Sequence, residues 1–201
     1  MCGKRPVAYS SKESTKSGTG WYHCGDHVCH YANHVQRKSN GSSNGSPHQY
    51  YTLSFIIEAP YAYDTLYLAN CVPFTPTTLH QHLREIEACP RRSMRLRRRQ
   101  LCKTLAGNRC DLLTITTFTN DDALMRNRRA ICITSRVHPG ESSCSWVMKG
   151  IIDFLTGGSP NAKILRDSFI FKIVPLLNSD GCVVGNQVCF ALERICFQDA
   201  S

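Results

Sequence analysis

The stretch Ala130-Ile-Cys-Ile-Thr-Ser-Arg-Val-His-Pro-Gly-Glu141 constrains this chain more than any other. Residues Ala130 to Val137 are mostly apolar and β-branched, the composition of a buried strand. The strand has to break at His138-Pro139-Gly140-Glu141, where Pro second and Gly third predict a type II turn. Such a turn holds its first and fourth Cα atoms within about 7 Å. His138 and Glu141 are therefore expected side by side, close enough to share one metal ion. Beyond them Trp146, Val147, Gly150, Ile151, Phe154 and Leu155 recur at helical spacing, with Ser142 or Ser143 as the expected N-cap and Gly157-Gly158 as the stop. Glu141 then stands at a helix start, where the dipole favours a carboxylate. A strand handing over to a helix is also where open α/β sheets place ligand sites. By itself, however, an arbitrary His-x-x-Glu is more often two polar residues exposed on a turn.

The chain has 201 residues, enough for one good core or two small ones, and its 42% hydrophobic content is ordinary for a globular protein. The opening Met-Cys-Gly-Lys-Arg-Pro leads into no apolar h-region, and no run approaches a membrane span. A cytoplasmic protein with no membrane partner is expected, its twelve cysteines reduced. The formal net charge of +9 is concentrated at Arg91, Arg92, Arg95, Arg97, Arg98, Arg99 and Lys103. Such a run could bind nucleic acid or acidic peptides, or be one solvated strand face, which is the commoner case.

Taken in order, residues 1–20 are polar, rich in Ser, Thr and Lys, and expected to be mobile. Residues 20–34 concentrate Cys24, Cys29, His23, His27, His30 and His34, but without the tight Cys-x2-Cys spacing of a structural zinc knuckle, so these histidines read as packing or surface residues. Residues 39–47 are a Gly/Ser/Asn loop, and strands are expected over 50–58 and 65–69. Pro76 suits the first turn of a helix through Leu79, Leu83 and Ile86. Strands at 99–105 and 110–117 flank Ala106-Gly-Asn-Arg109 as a hairpin, and residues 119–128 read as a polar loop. A short helix is expected over 161–166, then a buried strand over Phe169 to Leu177 ending in the turn Asn178-Ser-Asp-Gly181.

Three segments carry a likeness to a known family: Ser135 through Gly150, Leu165 through Asn178, and Asp180-Gly181. They resemble the cytosolic carboxypeptidases, part of the wider zinc carboxypeptidase family, and the likeness runs from about Trp21 to Asn186. The fold class it implies is α/β: an amino-terminal antiparallel β-sandwich portion followed by the first half of a mixed-sheet α/β zinc carboxypeptidase domain. The implied boundaries are a mobile segment at 1–20, the end of the β-sandwich domain at 21–72, a partial catalytic domain at 73–186 and a divergent tail at 187–201. The resemblance makes His138 and Glu141 ligands of Zn2+.

It also implies a hydrolase that removes carboxy-terminal residues, typically glutamate from acidic tails such as tubulin's, so the expected partners are acidic peptide or protein tails rather than nucleic acid. The alternative is a non-catalytic module using residues 91–103 to hold an acidic protein or nucleic acid. A catalytic zinc site of this type takes three protein ligands, and the chemistry needs a proton-moving Glu and an Arg for the substrate carboxylate. By the resemblance, the third ligand and the proton-moving Glu belong downstream of the part matched here, and the substrate-binding arginines are replaced: Val188 stands at the family's first Arg position and Phe197-Gln198 at its Asn-Arg. The chain by itself is thus expected to be a truncated, inactive form without a catalytic residue of its own, with the strand at 169–177 left with an exposed edge.

Overall fold

The computed structural model describes residues 5–37 and 48–186. The chain divides into two compact units, Met1–Val72 and Pro73–Ser201.

The amino-terminal unit contains β1 (Val7–Ser10), α1 (Ser11–Ser17), β2 (Tyr22–His23), β3 (Asp26–Arg37), β4 (His48–Ile56) and β5 (Leu66–Ala69). All pairing is antiparallel, with β1 between β2 and β5 in one sheet and β3 against β4 in the other. This is the β-sandwich portion expected. Residues 7–17 correct the expectation of a mobile start: Val7, Ala8 and Ser10 are buried in β1. Ser10 Oγ accepts from Glu13 N at 3.0 Å to cap α1, and Gly18 ends that helix at φ 74°. The bonds that order β1 come from Leu66 to Ala69, far along the chain, so local composition could not reveal them. His23, His27, His30 and His34 are exposed, and the His30 ring stacks on Tyr51 at 5.1 Å. Residues 1–4, the loop expected at 39–47 and the tail at 187–201 lie outside the described residues.

The second unit contains α2 (Pro76–Ala88), α3 (Pro90–Ser93), β6 (Leu96–Lys103), β7 (Arg109–Ile115), α4 (Asp122–Asn127), β8 (Arg129–Thr134), α5 (Ser142–Thr156), α6 (Pro160–Ser168), β9 (Phe169–Val174) and α7 (Ser179–Val184). Its sheet has the order β6-β7-β9-β8, with β8 and β9 parallel and the other pairs antiparallel. Leu83 and Ile86 of α2 and Ile152 of α5 pack with Leu113, Ile115 and Ile173 of the sheet. This is the mixed-sheet α/β domain anticipated. The β6–β7 hairpin turns at Gly107, whose φ of 82° is one that residues with a Cβ rarely adopt.

Three local expectations are corrected. The strand expected to be central and buried, β8, pairs on one side only among the described residues, with Arg129, Ala130, Cys132 and Thr134 exposed. The strand expected to have an open edge, β9, is interior. An apolar run specifies neither strand order nor how many neighbours a strand finds. Within the supposed loop at 119–128, Asp121 Oδ1 accepts from Leu124 N at 3.1 Å and starts α4.

The basic run has a largely internal purpose. Arg95 Nη1 donates to Thr156 O and Gly157 O at 2.8 and 2.6 Å, and Arg166 Nη1 donates to Leu155 O and Gly157 O at 2.6 and 3.0 Å. Both cations sit on the carbonyl end of α5, where the helix dipole is negative. Arg92 adds Thr156 Oγ1 at 3.0 Å and Asp153 Oδ1 at 2.5 Å. The far end of the helix that begins beside Glu141 is thereby pinned.

Candidate metal centre

His138 and Glu141 occupy the two ends of a closed turn, in which Glu141 N donates to His138 O at 3.2 Å. The turn is not type II. Positive φ among the described glycines occurs at Gly18, Gly25, Gly107 and Gly185 but not at Gly140, and a type II turn requires it there. The left-handed residue is instead Arg136, at φ 58°. The chain reverses at Arg136, before the turn, and Gly140 leads into the helix, with Ser142 N donating to Gly140 O at 3.1 Å. Glu141, rather than Ser142 or Ser143, is the N-cap of α5, and its side chain makes no capping bond. The side chains of His138 and Glu141 are both exposed, and no hydrogen bond or ion pair engages either one among the described residues.

Their backbone, by contrast, is tightly held. Ser135 N donates to Val174 O at 3.1 Å and Leu177 N donates to Ser135 O at 3.0 Å, extending the β8–β9 pairing into both loops. Asn178 N donates to Arg136 O at 3.2 Å, and Asn178 Nδ2 donates to Val137 O at 3.3 Å. Asn178 Oδ1 also accepts from Gly181 N at 2.9 Å, which makes it the N-cap of α7. The segment expected to be a turn at 178–181 is therefore a helix start. Ser179 sits buried at its first position with Oγ at 3.4 Å from Arg109 O and Leu176 O. Pro139 packs on Gly181 so closely that a Cβ there would collide with its ring. Cys144 Sγ donates to Glu141 O at 2.8 Å and Cys182 Sγ to Pro139 O at 3.8 Å. Burial pushes the Cys182 thiol up.

A second brace holds the start of α7. Asp180 accepts from Thr104 Oγ1 at 2.5 Å, Ala106 N at 3.1 Å and Asn108 Nδ2 at 2.7 Å, which fastens the β6–β7 hairpin tip. Desolvation works to raise its carboxyl, but these bonds outweigh it and hold the group below the usual carboxylate range. Arg136, Asn178 and Gly181 are functional supports that residue-by-residue reading did not assign. The Gly after Asn-x-Asp was the only signal, and it looked like ordinary turn chemistry.

One imidazole and one carboxylate, both uncommitted and on a fixed turn, are donors that zinc accepts. They fit as part of a site. Among the described residues no group of three or more His, Cys, Asp or Glu side chains could hold a metal.

The mixed sheet thus carries a His–Glu pair where β8 passes into α5. A profile of the family described as Zinc carboxypeptidase matches residues 79–194, and the chain belongs to that family. The match runs past Asn186, where the likeness legible in the residues ends. The chain is 42% identical over 193 residues to cytosolic carboxypeptidase 3 of Bos taurus, covering 96% of this chain and 18% of that protein. It is likewise 42% identical to cytosolic carboxypeptidase 1 of Xenopus laevis, over 93% of this chain and 16% of the relative. The chain therefore spans under a fifth of the length of these two relatives. Among solved structures, a metallo-carboxypeptidase from Burkholderia cenocepacia superposes with a TM-score of 0.63 at 24% identity, over 92% of this chain and 40% of that one. That likeness shows the fold.

Proposed function

We propose that this chain contributes the His138–Glu141 half of a catalytic zinc site to a metallocarboxypeptidase that trims carboxy-terminal residues, with glutamate on acidic tails such as tubulin's as the substrate class and the cytoplasm as its place of action. The observation that carries the reading is the pair itself: two zinc-type donors at the ends of one hydrogen-bonded turn, both without a side-chain partner among the described residues, on a backbone braced from three sides. When bound, zinc would supply Lewis acidity for peptide-bond hydrolysis. His138 and Glu141 would hold the metal, and the hydrogen bonds behind them keep the turn from shifting. Family membership and the names of the curated relatives support the class of reaction; the preference for acidic tails rests on the sequence resemblance.

The 201-residue chain alone should bind zinc weakly and turn nothing over. Two ligands leave half of a tetrahedral shell to water, and no described residue provides a third. Zinc titration followed by NMR at the His138 imidazole tests the pair, with a shift lost in Glu141→Ala as the expected result. A polyglutamate-tailed peptide incubated with the pure chain should release no glutamate. Zinc-dependent release abolished by Glu141→Ala would overturn the proposed silence.

The internal use of the basic run argues against the binding-module alternative. Arg92 and Arg95 cap α5, Arg98 pairs with Asp111 at 2.6 Å, and Arg97 lies over the Phe118 ring at 4.1 Å. Arg91, Arg97, Arg99 and Lys103 are exposed, a small set for tracking a phosphate backbone.

A further inference from the structure

Arg136 is a costly residue to place where it is. Its backbone is left-handed at φ 58°, a conformation unfavourable for a side chain with a Cβ, and the residue is only 6% exposed. No carboxylate pairs with it among the described residues; the guanidinium is neutralised by no counter-ion and bonds only to neutral oxygens. Nε donates to Pro139 O at 2.8 Å. Nη1 donates to Phe74 O at 3.1 Å and to Ser145 Oγ at 2.9 Å, and Nη2 to Ser142 Oγ at 3.3 Å. An uncompensated buried charge is retained only where several fixed dipoles hold it.

The four acceptors share one property: they surround the turn from His138 to Glu141. Pro139 is inside it, Ser142 and Ser145 are in the first turn of α5 beyond it, and Phe74 anchors it to the start of the unit. Phe74 is itself buried, with its ring edge-on to Trp146 at 5.0 Å. A planar fork with donors pointing in different directions can serve all four, and an ammonium on a flexible stem cannot.

We propose that Arg136 is the positioning residue of the zinc half-site, a cationic brace that fixes the His138 and Glu141 backbone before any metal arrives. This rests on the reading of His138 and Glu141 as a zinc pair. Arg136 does not itself touch metal or substrate: it is buried, and its forks are occupied. Its effect is to hold the two donors at a fixed separation, so that binding does not first have to order the loop.

The test uses the full chain and the variants Arg136→Lys and Ser145→Ala, the second removing one acceptor with little change in volume. Hydrogen exchange at the Glu141 amide, which bonds His138 O, is measured without metal and compared with the Leu113 amide in the sheet core. Zinc affinity is then read from the His138 imidazole shift. Arg136→Lys should accelerate exchange at Glu141 about tenfold with Leu113 unchanged, and weaken zinc about tenfold or more, within the range seen for lost supporting bonds at metal sites. Ser145→Ala should give smaller changes of the same sign. Folded variants with wild-type exchange at Glu141 and wild-type zinc affinity would overturn the proposal, as would an equal rise at Glu141 and Leu113, which marks a merely structural residue. If Arg136→Lys fails to fold, Ser145→Ala decides by the same two readouts. If zinc leaves the wild-type His138 unshifted, the zinc reading falls, and the exchange measurement still decides whether Arg136 holds the turn.

Discussion

The ring of Pro139 rests on Gly181, occupying the space into which any larger residue at 181 would project. This contact ties the His138–Glu141 turn after β8 to the helix that begins after β9. It makes the glycine a determinant of where His138 and Glu141 stand, although neither of them touches it.

Gly181→Ala should therefore destabilise the chain by about 1–3 kcal/mol, the usual range for overpacking, because the new methyl meets both Pro139 and Asn178 Oδ1. It should also weaken zinc at His138. Gly150→Ala is the matched control: it lies on the exposed face of α5, with nothing near its absent Cβ, and should stabilise by about 0.5–1 kcal/mol. Thermal melts of both variants check the opposite signs.

Asp111 should dominate the acid limit of stability. Its carboxylate is 4% exposed and accepts from Arg98 Nη2 at 2.6 Å and from Arg109 Nε. Burial works to raise this carboxyl, and the bonds from the two arginines outweigh it, leaving the group below the usual range. A depressed folded value means the contribution is complete above the unfolded value of about 3.9 and is lost as pH falls through the lower folded one. Asp111→Asn should cost about 3 kcal/mol at neutral pH by removing the carboxylate between Arg98 and Arg109 and leaving Arg98 with Glu87 at 3.6 Å, and should flatten the dependence of stability on pH below 4. Urea melts from pH 3 to 7 measure both.

The basic run should divide into structural and dispensable positions. Arg92→Ala removes bonds to Asp153 and Thr156 and should destabilise by about 1–3 kcal/mol. Arg91→Ala and Arg99→Ala should stay within about 0.5 kcal/mol. Equal effects at all three positions in denaturant melts would contradict the division.

The edge that β8 presents among the described residues should make the chain sticky. Ala130, Cys132 and Thr134 are exposed on it, and Val147 and Phe154 of α5 are exposed as well. An unpaired strand edge beside apolar surface is a site for unwanted association. Thr134→Lys should lower light scattering and hydrophobic-dye binding without changing the melt.

Much of the local structure was legible before any coordinates. Pro76, the spacing of Leu79, Leu83 and Ile86, and the Gly107 hairpin are signals whose physics is complete within a few residues. The His138–Glu141 pair was legible for the same reason, since a four-residue turn brings its own ends together. The turn type was misread because Pro-Gly favours type II only while nothing outside the turn intervenes, and Arg136 intervenes. The start of the chain was misread because β1 is held by β5, whose residues lie more than fifty positions away.

The sequence alone therefore determined the family, the elements of the second unit other than the short helices α3, α4 and α7, and the two candidate zinc donors, because these rest on short-range spacing and on a long unbroken likeness. The tertiary structure alone decided that β8 is an edge and β9 interior, that the basic run closes the end of α5, and that Arg136, Asn178 and Gly181 brace the turn. Each of these depends on which distant segments meet, and hydrogen bonds and van der Waals contacts act only at short range once the chain has brought them together.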